Sequence, residues 1–219
     1  LKIDIIYKCM KLDVSYKRSI VFLLIIVSVN FVFTDCGGKG KTNTGKNFPV
    51  NTTQKAGQFN PIISFYEAAL NGQQDLVMQY IDNGTVVDQR DAEGRTALMY
   101  AAFNGHVELL RKLISKGADV NLQDIYGRTA LMMASSGPFP QAVKLLLDNN
   151  AEPDIIDRDE HYTALMYAAA EGQLENVKIL LEYKANPELK DVDGDNALTF
   201  ASNNGHKEVA ELLKLAMKK

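Results

Sequence analysis

The chain has 219 residues, 46% of them hydrophobic and 23% charged, with 24 basic against 27 acidic side chains and a formal net charge of −3. That balance belongs to a foldable globular chain. It lacks the strongly basic character by which nucleic-acid-binding domains meet phosphate, so no nucleic-acid partner is expected. Two cysteines leave no room for a disulfide framework.

Residues 1–36 come first. The basic pair Lys17-Arg18 precedes an apolar run from Ile20 to Phe33. Fourteen residues is short of the roughly 20 that a spanning helix needs, and suits the core of an export signal. Three readings fit the run: a cleaved signal, an uncleaved anchor, or a buried core segment. Met10 lies just ahead of Lys11 and the basic pair, so translation is expected to start there, with residues 1–9 an over-extension that carries Cys9. Cys36, followed by Gly37-Gly38, resembles the cleavage site of bacterial lipoproteins, in which the cysteine becomes the lipid-bearing N-terminus. Phe33 and Thr34 fit that family's pattern; Asp35, where the family has Gly or Ala, departs from it. The other outcome is an ordinary secreted protein.

Residues 37–60 are rich in Gly, Thr, Asn and Lys and read as a flexible tether. Such a chain has an r.m.s. reach on the order of 25–30 Å. Gly38-Lys-Gly-Lys-Thr42 imitates a phosphate-binding loop, but the position of its first glycine holds Asp35 and no helical pattern follows. Asn51 and Asn83 head Asn-x-Thr sequences, which matter for glycosylation only in a eukaryotic secretory route.

From residue 61 onward the chain repeats itself. Thr96-Ala-Leu-Met-Tyr-Ala-Ala returns from Thr129, from Thr163 and, weakened, from Asn196, at steps of 33, 34 and 33 residues. A fixed period of this size marks a stacked repeat architecture. Within the clearest copy, Asp91-Ala-Glu-Gly94 signals a turn and Thr96 a helix cap. Leu98, Ala101 and Ala102 form a narrow apolar stripe on a short first helix that Asn104-Gly105 ends. A second helix is expected over 107–116, with apolar residues at 107, 110, 113 and 114, stopped by Gly117. One such unit cannot bury its apolar faces alone; stacking buries them.

The pattern from Asp91 through Gly94, Thr96, Leu98, Ala101-Ala102, Gly105-His106 and Glu108 to Gly117-Ala-Asp-Val-Asn121 resembles an ankyrin repeat. The resemblance implies an all-α solenoid of five helix-turn-helix repeats with β-turn tips, over 61–90, 91–123, 124–156, 157–190 and 191–219. Departures are local. The family's Thr-Pro-Leu-His becomes Thr-Ala-Leu-Met. In the third copy Gly137-Pro-Phe-Pro140 replaces the Gly-His step, so its second helix should begin at Pro140. The fourth copy carries one extra turn residue, and Lys214 lies where Ile114, Leu147 and Leu181 lie earlier, as suits a terminal cap. Ile63 takes the capping-threonine position of the first copy.

No catalytic pattern emerges. His106 and His206 share one repeat position, where the family uses histidine for structural hydrogen bonds. His161 lies in the long fourth turn, as a metal ligand, a partner contact or an exposed loop residue. Asp91, Asp124, Asp157 and Asp191 recur at repeat spacing as turn residues. Neither zinc spacing nor a nucleophile motif is present. A non-enzyme without cofactor or metal is therefore expected.

In ankyrin proteins, partners dock on the turn tips and the exposed parts of the first helices. Carried over by position, this nominates Glu93, Arg95, Phe103 and Asn104 in the second copy, and Tyr126 and Arg128 in the third. The fourth offers Asp159, His161, Tyr162 and Glu171, and the fifth Asp193 and Asp195. Aromatic and arginine residues among them are the natural anchors. The expected protein is a monomeric, exported module at the bacterial envelope, lipid-anchored at Cys36 and binding another protein. Alternatives are an accessory or inhibitory subunit of an envelope enzyme, or a secreted effector that binds a host protein.

Overall fold

Each first helix begins where a small polar side chain can take up an amide that the helix leaves without a partner. Thr96, Thr129 and Thr163 accept from the amides of Met99, Met132 and Met166 at 3.3–3.4 Å, and Asn196 accepts from Thr199 at 3.1 Å. In the first repeat the cap is Ser64, which accepts from Glu67 at 3.2 Å. The capping position there lies one residue after Ile63, the position that the repeat spacing indicates.

The computed structural model describes residues 63–218, and the signal-like segment, Cys36, Asn51 and the whole of the tether lie outside them. Ten α-helices follow in pairs: α1 (Phe65–Leu70) with α2 (Gln74–Asp82), α3 (Ala97–Phe103) with α4 (Val107–Ser115), and α5 (Ala130–Ser136) with α6 (Pro140–Asp148). The last pairs are α7 (Ala164–Ala170) with α8 (Leu174–Glu182), and α9 (Ala197–Asn203) with α10 (Lys207–Ala216). The described residues contain no strand. None of their helices is long and apolar enough to cross a membrane. The expected all-α, five-repeat solenoid is the observed fold, and α6 does begin at Pro140.

Two rows of helices result. The first helices α1, α3, α5, α7 and α9 pack in sequence, and each also packs on the second helix of its own repeat. Small residues make the close approach possible: Ala101, Ala102, Ala134, Ala168, Ala169 and Ala201 are fully buried. The core between the rows holds Leu98, Leu109, Leu110, Leu113, Leu131, Leu146, Leu165, Leu180 and Leu213. Full burial of side chains of this size is worth about 1.5–3 kcal/mol each before the entropy of ordering is subtracted. Helix α4 departs slightly from its expected apolar face: Leu109 is fully buried, whereas Val107 and Ile114 are only half-buried.

Histidine ties the repeats together. His106 Nε2 lies 2.8 Å from Leu70 O, and His206 Nε2 lies 3.0 Å from Ala170 O, each reaching the end of the preceding first helix. Asn104 and Asn204 donate to the same two carbonyls. Where the third repeat has Phe139 instead, the ring packs so closely on Gly105 that a Cβ there would lie 2.3 Å from it. At the following joint Gln173 holds the histidine column and donates to Ser136 O at 3.4 Å, with a further donor beside it. Asn176, buried in α8, donates to Ser135 O and Gly137 O at 3.1 and 2.7 Å.

Candidate functional site

The turn tips are built by the recurring aspartates. Asp91 Oδ1 accepts from the amides of Glu93 and Arg95 at 2.9 and 2.8 Å. Asp124 repeats this with Tyr126 and Arg128, Asp157 with Glu160 and Tyr162, and Asp191 with Asp193 and Asp195. Three of the four side chains are buried and Asp91 is half-buried. A short carboxylate that accepts from amides two and four residues on is what fixes such a turn. The fourth turn absorbs its extra residue at His161, which has φ +61°.

Neighbouring tips are joined backbone to backbone. Ile125 N–H donates to Glu93 O at 3.0 Å, Arg158 N–H to Tyr126 O at 2.8 Å, and Val192 N–H to Glu160 O at 3.2 Å. Arg90 and Arg158 reinforce these joints by donating to the carbonyls of Gln123 and Ile125 at 2.8 and 2.7 Å. The sequence reading did not single out either arginine for this role. For Arg90 the clue was position alone, since Gln123, which bridges to Gly127 O and Ile156 O, shares its repeat column.

The nominated residues fall into two groups. Tyr126 is 41% exposed, and its tip neighbour Ile125 and the fifth tip's Val192 are also exposed large hydrophobic side chains. Asn104, Asp159, His161 and Asp193 are exposed as well. The arginines are more deeply engaged. Arg128 makes two bonds to Asp124 Oδ2, at 2.9 and 2.8 Å, with its guanidinium 4.7 Å from the Tyr126 ring centre. Arg95 lies between tips, 3.8 Å from Asp124 Oδ2 and 5.9 Å from the ring centre of Tyr100. Phe103, Glu93 and Asp195 are half-buried. Tyr162 meets Tyr167 and Phe200 edge-on, at 5.8 and 5.1 Å.

Charge and burial act on the tyrosines beneath the tips. Burial and the hydrogen bond it gives Asp91 Oδ2 at 2.6 Å push the Tyr100 phenol up to about 12. Tyr167 is raised further, by burial and by Asp157, to whose Oδ2 it donates at 2.9 Å. Burial also raises the carboxyl of Glu171, against the opposing pull of His206. Among the described residues no group of three His, Cys, Asp or Glu side chains is arranged to hold a metal ion.

A helical-pair solenoid with cross-linked turn tips and exposed apolar side chains along them is the architecture of an interaction module. A family model of three ankyrin repeats matches residues 65–157 and again 138–218. The chain therefore belongs to the ankyrin-repeat family, whose members are interaction modules that bind protein partners. A search of the curated proteins finds no match.

Proposed function

We propose that this protein binds its partner along the row of turn tips, and that a lipid on Cys36 with the tether of residues 37–60 holds it at the bacterial envelope. The observation that carries the docking half is the exposure of Ile125, Tyr126 and Val192 on tips held to one another by backbone hydrogen bonds. A surface ordered before binding loses little further entropy when a partner arrives. Tyrosine also supplies the apolar area and polar tip that interfaces favour. The envelope half rests on the apolar run at Ile20–Phe33, the lone cysteine after it and the polar stretch that follows.

A photo-crosslinking amino acid placed at Tyr126 in the full chain tests docking, with the same group at exposed Lys178 on α8 as the control. A discrete protein adduct from position 126 and none from 178 is expected; equal labelling from both removes the tip row as the interface. Intact mass of the membrane-extracted protein, beside Cys36→Ala, tests the anchor. Acyl chains on an N-terminal Cys36, lost in the variant, are expected. An unmodified chain cleaved elsewhere leaves a secreted binder, and a mass that retains residues 20–36 means an uncleaved segment.

A further inference from the structure

The four tip aspartates are equivalent, so the surroundings of each second carboxylate oxygen can be compared across repeats. Asp91 and Asp157 each receive a tyrosine hydroxyl from their own first helix, Tyr100 and Tyr167. Asp124 receives the two-pronged guanidinium of Arg128. Asp191 has neither donor. Its helix position holds Phe200, and the position four residues on holds Asp195. Oδ1 of Asp191 is satisfied by the tip amides, yet Oδ2 is buried with no hydrogen-bond partner, in a residue only 7% exposed. A buried carboxylate oxygen without a donor is costly, and natural proteins rarely leave one.

The surroundings of this oxygen favour a cation. Asp193 and Asp195 share its tip, and Glu160 lies on the neighbouring tip that hydrogen-bonds to it. Tyr162 replaces Arg95 at the preceding tip, so the arginine that approaches Asp124 from that side has no counterpart here. At this end the half-buried Tyr162, edge-on to the buried Phe200, offers a ring of the kind that Tyr126 offers Arg128.

We propose that the fifth tip receives an arginine side chain from the partner protein, whose guanidinium takes at Asp191 the place that Arg128 takes at Asp124. The inference rests on the protein-binding reading above and names the chemistry recognised. Arginine is favoured over lysine because its planar fork can meet a carboxylate with two parallel N–H bonds, as Arg128 does. With Oδ2 shut off from solvent, entry of the guanidinium requires the tip side chains to move aside.

The test is selection of random displayed peptides on the full chain, followed by titration of one selected peptide. Retained sequences should share an arginine, and its replacement by lysine or glutamine should weaken binding about tenfold. Phe200→Tyr, which supplies a hydroxyl to Asp191 within the chain, should weaken the unaltered peptide similarly. Asp195→Arg, which restores the third-repeat arrangement, should do the same. Peptides that lack arginine and bind Phe200→Tyr as well as the parent overturn the inference. If those peptides are still lost with Tyr126→Ala, the tip-binding reading survives; if they are not, it falls too. Displacement of the selected peptide by a synthetic peptide of residues 37–60 also overturns it, since the chain's own basic segment would then be the occupant.

Discussion

Asn176 Nδ2 donates to the carbonyl oxygen of Gly137 at 2.7 Å, joining the second helix of one repeat to the first-helix end of the repeat before it. It also donates to Ser135 O, from a side chain only 1% exposed. The repeat column of Asn176 is otherwise apolar, with Leu109, Ala142 and Val209. Replacement by the column's own valine should therefore destabilise rather than improve the core. Asn176→Val is expected to cost about 1–3 kcal/mol, because buried acceptors lose their donor. Asn104→Ala removes an equally short but exposed bond to Leu70 O and should cost less, since water can replace it. Urea unfolding of both variants checks the order, and equal losses would defeat the argument.

The tyrosine–aspartate pairs beneath the tips predict opposite signs for two mirrored changes. Phe200→Tyr places a hydroxyl where Asp191 Oδ2 has no donor and should stabilise by about 1 kcal/mol. Tyr167→Phe leaves Asp157 Oδ2 without its 2.9 Å bond and should destabilise by a similar or larger amount. Thermal unfolding of the pair decides the matter: a stabilising Tyr167→Phe contradicts the role given to these hydroxyls.

Alkaline pH should weaken the fold in a definite window. Burial and Asp91 hold the Tyr100 phenol at about 12 in the folded chain, above the ordinary 10, and Tyr167 is raised in the same direction. The unfolded chain therefore loses these protons first. Their contribution is fully present below pH 10 and declines as pH climbs from 10 through 12. Urea midpoints at pH 9, 10 and 11 should fall above pH 10, and less steeply in Tyr100→Phe. Absorbance near 295 nm should show these two phenols ionising only well above pH 10; ionisation of both at or below pH 10 would refute the account.

Two glycines at one repeat position isolate the joint between tips. Gly127 and Gly194 have φ +79° and +85°, so alanine is strained at both. An added Cβ at Gly127 would lie 2.6 Å from the backbone nitrogen of Arg158, whereas at Gly194 it meets nothing within 4 Å. Gly127→Ala should accordingly be less stable than Gly194→Ala by about 1–3 kcal/mol. Matched chemical denaturation of the two variants measures the difference, and a difference near zero would mean that the joint is soft.

A third position shows the reverse case. Gly84 and Gly117 have positive φ after the second helices, and Asn150 and Lys184 adopt φ +65° and +67° at the same place in later repeats. Lysine is the least suited of the four to that conformation. Lys184→Gly is expected to stabilise by about 0.5–1 kcal/mol. Calorimetry that shows a lower melting temperature would run against this.

Much of this was legible in the sequence because a repeat prints its rules several times. The threonine caps, the Asp-x-x-Gly turns, the paired histidines and the Pro140 start each follow from one position recurring at steps of 33 or 34 residues. What escaped was variation from joint to joint. Phe139 leaves one joint without the histidine column's donor, and Asn176 adds a buried donor at the following joint, differences that no single copy displays. Ser64 escaped because the first repeat sets its cap one residue after the position that the repeat spacing indicates. Among the tip residues, exposure was foreseeable for Tyr126 and Asp159. The engagement of Arg128 with Asp124 depends on side-chain geometry that composition does not carry.

The extra residue of the fourth turn adds one further consequence. Asp91 N–H closes on Arg95 O at 3.0 Å, and Asp157 N–H closes on Tyr162 O at the same 3.0 Å, although the second loop is one residue longer. The surplus bulges outward at His161 while the base of the loop keeps its width and the joints to both neighbouring tips stay intact. Length can therefore vary at this point without disturbing the register of the stack. His161 is accordingly the natural graft point, where an epitope or a reporter loop could be spliced into the protein with the flanking repeats left in place.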